Sequence, residues 1–257
     1  MSETLATAIP RARLVWAAQS DQGLVRKRNE DSVGLFAGEG GSTRHLLVVA
    51  DGVGGNAAGD VASRLAVASI QAALQEGRED GQPAAILEAA LHAANAAVLA
   101  AASAEPQLRK MATTCTAALL AGRRFTIAHV GDSRAYLRRR GALKRLTRDH
   151  TVAEQFREKG LTPAGGASAF QQVITRCLGM ADELVVDLVS SEALAPGDTL
   201  LLCTDGLGRC VSDEEIDEFL RVAQPAAACG LLIDLVRRRG APDNVTVAIA
   251  AIVPAER

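Results

Sequence analysis

Two hydrophobic patterns alternate along this chain. Short apolar blocks, rich in β-branched and aliphatic residues, occupy 46–50, 115–121, 125–130, 135–138, 199–204 and 245–252, each bounded by Gly, Asp or Pro. Blocks of that length and composition predict strands. Gly122-Arg123-Arg124 joins one pair of blocks, and Gly131-Asp132-Ser133-Arg134 interrupts the next. Links this short predict antiparallel hairpins, not βαβ units. The second pattern is longer and Ala-rich. Segments 60–75 and 83–104 carry Leu, Ile and Val at helical spacing and predict two helices. Ser212-Asp213-Glu214-Glu215 reads as a capping box opening a helix towards Arg221. Segment 225–239 reads as a last helix, stopped by Gly240 and Pro242.

The order of strands, two helices, strands, two helices and a strand predicts an α+β domain, with sheets packed together and helices outside. No internal repeat or linker divides the chain, so a single domain over 1–257 is expected, with 1–10 flexible and 76–82 and 162–169 as exposed loops. Hydrophobic residues make up 48% of the 257 but aromatics only 3%, so aliphatic side chains and Ala must fill the core. A net charge of −2 gives no global pull towards nucleic acid or an anionic membrane. No apolar run is read as reaching the roughly 18 residues that a membrane helix needs, and 1–10 lacks the pattern of a signal peptide. The five cysteines, Cys115, Cys177, Cys203, Cys210 and Cys229, are odd in number and match no zinc spacing. Reduced thiols and a cytoplasmic location are expected.

Four acidic places differ from ordinary solvated carboxylates. Asn29-Glu30-Asp31 follows a segment containing Gly23 and Arg26. Asp51-Gly52-Val53-Gly54-Gly55 follows an apolar strand directly, Asp205-Gly206 repeats that arrangement, and Asp243-Asn244 immediately precedes the strand at Val245. Gly beside such an Asp lets the backbone approach closely, so its own carbonyl can also act as a ligand. Carboxylates converging from such places would need a hard divalent cation, and oxygen ligands select Mg2+ or Mn2+ over zinc. A lone Asp-Gly is ordinary turn chemistry, and spacing alone leaves open whether these positions meet.

Taken in order, the motifs resemble the bacterial type 2C, metal-dependent serine/threonine protein phosphatases. The resemblance rests on the segment from Gly23 to Asp31, on Asp51-Gly52 with Gly59, Ala62 and Ser63, and on Met111-Ala112-Thr113-Thr114. It continues through His129-Val130-Gly131-Asp132-Ser133-Arg134, Leu146-Thr147-Arg148-Asp149-His150-Thr151, Ile174-Thr175-Arg176, Leu201 to Leu207, and Asp243-Asn244-Val245-Thr246. It implies an αββα four-layer sandwich with two mainly antiparallel sheets, and a centre of two divalent cations, Mn2+ or Mg2+, at one edge. By position, Asp51 would bridge the cations, the Gly52 carbonyl would bind one, and Asp205 and Asp243 the other. Asp31 would serve the metal shared with Gly52. Asp132, with Asp205, would hold a third, weaker cation. Arg26 would grip the substrate phosphate, and Glu30, Asn244 and Asn56 would support the ligands from behind. Segment 151–170 would form a flap. The implied reaction is direct attack of a metal-activated water on phosphoserine or phosphothreonine of proteins, with Asp51, Arg26 and Asp205 central. It would reverse a Ser/Thr kinase, and a monomer is expected. Ala112 stands where the family has Gly, and Val53 and Asn56 stand where some members carry His.

Other groups read as structural. His129 fits a buried strand, His150 a polar network, and His45 and His92 surface or helix positions. Cys177 and Cys203 read as core thiols. The basic runs Arg138-Arg139-Arg140 and Arg237-Arg238-Arg239 read as solvated faces. Two other functions compete: a non-enzymatic phosphoprotein-binding module, against which the presence of Asp51, Asp205 and Asp243 argues, and a phosphatase dedicated to one regulatory partner, which the sequence does not separate from general kinase reversal.

Overall fold

The structure is a computed structural model describing residues 6–9, 12–38, 42–53, 58–76, 81–161, 170, 172–190 and 193–254. The chain begins with β1 (Ala6–Ile9), β2 (Ala12–Asp21), β3 (Asp31–Ala37) and β4 (Arg44–Val53). Helices α1 (Gly59–Glu76) and α2 (Pro83–Ala104) follow, then β5 (Ala112–Thr113), β6 (Cys115–Ala121), β7 (Arg124–Val130), β8 (Arg134–Arg139) and β9 (Ala142–Arg145). The last part holds α3 (Val152–Glu158), β10 (Asp187–Ser190), β11 (Thr199–Cys203), α4 (Asp205–Gly208), α5 (Asp213–Val222), α6 (Pro225–Arg238) and β12 (Val245–Pro254).

Among the described residues the strands form two six-stranded sheets, ordered β1-β2-β12-β11-β8-β9 and β10-β7-β6-β4-β3, with β5 on the end of β4. Every pairing is antiparallel. Side-chain alternation along a strand decides the layers. In β4, Leu46, Val48 and Ala50 pack under α1 and α2, while Leu47 and Val49 face the other sheet. In β12, Ala248, Ala250 and Ile252 point between the sheets, and Val245, Val247 and Ile249 pack under α5 and α6. The result is the expected αββα sandwich. Because both faces of the central strands are buried, these strands read as unbroken apolar runs rather than alternating ones.

Several expectations need correction. The link at 131–133 closes no hairpin: β7 and β8 lie in different sheets, so the chain crosses the sandwich there. β2 and β3 were not legible as strands, because Arg13 and Gln19 interrupt one and Gly34 the other. Residues 6–9, inside the terminus expected to be flexible, pair with β2. His45 is no surface residue. It is buried in β4, its ring edge-on to Trp16 at 4.9 Å between centroids. Helix α2 is long and apolar enough to cross a membrane by length and composition, although its Leu87, Ala90, Leu91 and Ala94 are buried against the β4 sheet. Of the flap segment, 152–158 is helix α3, and 162–169 lie outside the described residues.

Candidate active site

One edge of the sandwich gathers the ends of five elements. Asp31 opens β3 and stands in register opposite Asp51 on β4. Asp132 sits in the β7–β8 crossing, Asp205 starts α4 after β11, and Asp243 precedes β12. Arg26 lies in the loop between β2 and β3. Arg26, Asp51, Gly52, Asp132, Asp205 and Asp243 therefore border one cleft of about 260 Å3, together with Glu30, Asn244 and Arg209. A larger groove of about 610 Å3 adjoins it through Asp132, Asp205 and Arg209, and α3 forms part of its wall. Asn56, Gly54 and Gly55 lie outside the described residues.

Backbone contacts hold these positions. Gly52 N donates to Glu30 O at 3.1 Å, and Thr114 N donates to Asp51 O at 2.9 Å. A Cβ on Gly52 would sit 2.1 Å from Gly59 O and 2.6 Å from Glu30 O, so only Gly fits. Asn244 ties the Arg26 loop down: its Nδ2 donates to Gln22 O and Arg28 O, and its Oδ1 accepts from Glu30 N. The crossing turn is held from both sides. Ser133 Oγ lies 2.8 Å from Thr114 Oγ1, which accepts from Asp51 N. His150 N donates to Gly131 O, and His150 Nδ1 accepts from Gly131 N. His129 bonds Thr116 and the Arg148 carbonyl. Both histidines thus act within the buried network expected of them, burial holding their pKa values down. Cys177 and Cys203 are buried core thiols.

The electrostatics are unusual. Burial, reinforced by Asp31, Asp205, Asp132 and Asp243, pushes the Asp51 carboxyl well above its ordinary range. Burial raises Asp31 to about 7 against the bonds from Thr246 and Thr204, with Asp205 and Asp243 adding to the rise. Asp132 is pushed up to about 7 by burial and then by Asp205 and Asp149. Two arginines offset part of this charge. Arg26 grips Asp243 through Nε–Oδ1 at 2.7 Å and Nη2–Oδ2 at 2.8 Å. The guanidinium expected to hold phosphate is here paired with an expected metal ligand. Arg209, which sequence reading missed, binds Asp205 Oδ2 through Nε and Nη2 and lies 3.1 Å from Asp243 Oδ2 through Nη1. Its place one helical turn after Asp205 was the available signal.

Among the described residues, no three His, Cys, Asp or Glu side chains close into a ready-made metal cage. The donor set nonetheless fits divalent cations. Asp31 Oδ1, Asp132 Oδ1 and Asp205 Oδ1 are buried and accept no hydrogen bond among the described residues. Their partner oxygens on Asp31 and Asp205 are held by Thr204 and Thr246, and by Arg209. Buried carboxylate oxygens without donors are costly. Hard oxygen-seeking cations such as Mn2+ or Mg2+ resolve that cost.

The chain is similar to several known proteins. The family model described as Protein phosphatase 2C matches residues 25–232. Serine/threonine protein phosphatase PstP of Mycobacterium tuberculosis is 44% identical over 241 residues, 93% of this chain but 45% of PstP. This chain thus spans less than half the length of that relative. Serine/threonine phosphatase stp of Listeria monocytogenes is 32% identical over 89% of this chain and 92% of its own. The crystal structure of the PstP catalytic domain in complex with two manganese ions superposes with a TM-score of 0.81, at 43% identity over 93% of this chain and 98% of that one. Stp1 of Staphylococcus aureus gives 0.83 at 29% identity, over 92% and 94% of the two chains. With a match running through most of its length and the carboxylates gathered at one sheet edge, the chain belongs to the protein phosphatase 2C family.

Proposed function

We propose that this chain hydrolyses phosphoserine and phosphothreonine on proteins, using two divalent cations held at the edge of the sandwich. The observation that carries the reading is that Asp51, Asp132, Asp205 and Asp243 border one cleft with Arg26, with Asp31 in register opposite Asp51. The manganese-bound PstP catalytic domain, similar over nearly all of this chain, supports the same cofactor.

In this reading Asp31, Asp51, the Gly52 carbonyl, Asp205 and Asp243 would hold the two cations, and Asp132 with Asp205 would hold a third, weaker one. Bound there, Mn2+ or Mg2+ supplies charge neutralisation and an acidified water. The chain's own groups do the rest. Thr204 and Thr246 donate to Asp31 Oδ2 and leave its buried Oδ1 without a donor. Arg26, released from Asp243, offers a permanently charged planar fork to the phosphoryl oxygens. Asn244 and the Glu30 backbone keep that loop in place. Val53 borders the cleft where a histidine could have acted as a proton donor, so no imidazole acts from that position.

The partners are phosphoproteins, with a Ser/Thr kinase and its substrates as the natural set. A cytoplasmic location accords with five free cysteines. The test is hydrolysis of a phosphothreonine peptide with Mn2+ or with chelator, for the native sequence and for Asp51→Asn and Asp205→Asn. Activity that needs Mn2+ and is lost in both variants is expected. Hydrolysis surviving chelation or either substitution removes these residues from the centre.

A further inference from the structure

Asp243 stands between two guanidinium groups. Arg26 takes both of its oxygens from one side, and Arg209 Nη1 approaches Oδ2 from the other at 3.1 Å. The remaining nitrogens of Arg209, Nε and Nη2, rest on Asp205 Oδ2. Arg26 borders the small cleft, while Arg209 borders both that cleft and the larger groove beside α3. The side chains are 50% and 28% exposed, so incoming solutes can reach both.

We propose that Arg209 is a second phosphate-contacting arginine, gripping the phosphoryl group with Arg26 from the groove side. The proposal rests on the phosphatase reading above. Two like charges facing one point repel, and they stay together only around an anion. Asp243 is that anion here. A phosphate monoester dianion presents the same kind of oxygen edge to a guanidinium fork, with twice the charge and a third oxygen. Asp205 can take a cation through its unpaired Oδ1 with Arg209 still on Oδ2, but once Asp243 turns to a divalent cation, Arg26 and Arg209 Nη1 lose their shared partner, and the substrate phosphate is the group that fits between them. Because Arg209 alone of the two also borders the groove, it would meet the phosphate from the groove side. Guanidinium charge does not titrate in the working range, so the arginine side of the grip does not depend on pH.

The experiment compares the native chain with Arg209→Ala, Arg209→Gln and Arg209→Lys, all loaded with Mn2+. Three quantities are read: inhibition by inorganic phosphate, KM and kcat for 4-nitrophenyl phosphate, and Mn2+ and phosphate binding by calorimetry. Losing one charge-assisted contact should weaken phosphate binding and raise KM by about tenfold in Arg209→Ala. Mn2+ stoichiometry and affinity should stay close to native. Arg209→Lys, which keeps charge without the fork, should fall between. Arg209→Gln keeps the side-chain stem and carries the comparison if Arg209→Ala lowers the melting temperature. Unchanged phosphate affinity would overturn the proposal, as would a loss that only tracks weaker Mn2+ binding, since Arg209 would then merely hold Asp205. Failure of the phosphatase reading looks different: the native chain would bind Mn2+ and hydrolyse nothing, while calorimetric phosphate affinity would still judge Arg209.

Discussion

Thr246 Oγ1 donates to Asp31 Oδ2 across 2.7 Å, joining the first residues of β12 in one sheet to the start of β3 in the other. Thr204 Oγ1 donates to the same oxygen at 2.9 Å. The two sheets are thus stitched together at the point where the carboxylates meet. Thr246→Val keeps the shape but removes one donor from a buried carboxylate. It should lower stability by about 1–3 kcal/mol and weaken Mn2+ binding, read by denaturant unfolding and calorimetry. Native-like values for both would show that Thr246 does not orient Asp31.

The raised carboxyl pKa values predict how the metal-free protein responds to pH. Asp31 and Asp132 are raised from 3.8 to about 7, and Asp51 is raised further than ordinary carboxylates. A raised folded pKa contributes stability that is complete below 3.8 and is lost as pH climbs through about 7. The buried histidines oppose this below 6.5, the unperturbed value from which burial lowers them. The clean window therefore opens at about pH 6.5 and runs to about pH 8. With chelator present, the melting temperature should fall across that window. With Mn2+ it should rise, because the cations take the deprotonated carboxylates. A chelated protein equally stable at both ends would contradict the burial of these groups.

Gly206 links the two proposed ligand positions Asp205 and Asp243 through space. A Cβ there would lie 1.9 Å from Asn244 O, in the segment that carries Asp243. Gly206→Ala must push the Asp205 turn away from β12. Activity should fall at least about tenfold, a common result of a misplacement near 1 Å, and Mn2+ affinity should fall with it. The check is kcat/KM over a Mn2+ titration; a curve superimposable on the native one refutes the close approach.

Ser212 tests the fold away from the chemistry. Its hydroxyl accepts from Glu215 N while the Glu215 carboxylate accepts from Ser212 N, a complete capping box on α5. Ser212→Ala should cost about 1 kcal/mol of stability and leave kcat unchanged. Thermal unfolding and steady-state rates on the same preparation read both.

Local chemistry made much of this protein legible from its residues. The apolar run at 115–121 is β6 and the Ala-rich run from Pro83 to Ala104 is α2, because strand and helix formation answer to neighbours within a few positions. The Ser212 cap and the Asp-Gly strand ends were readable for the same reason. The family resemblance supplied the order of the motifs and the αββα arrangement. Only the tertiary structure decided which sheet each strand joined. With both faces of β4, β11 and β12 buried, their runs carry no alternation that names a partner. The 131–133 crossing reads as a hairpin because only three residues separate β7 from β8, and pairing through space puts the two strands in different sheets. Gly34 and the polar residues of β2 hid two strands that tertiary pairing holds in place. His45 looked like a surface residue until Trp16, 29 positions earlier, packed against it across the sandwich. Arg209 gained a role only when α4 brought it to Asp243, 34 positions later. Propensity acts along the chain, whereas burial and charge pairing act through space between residues far apart in sequence.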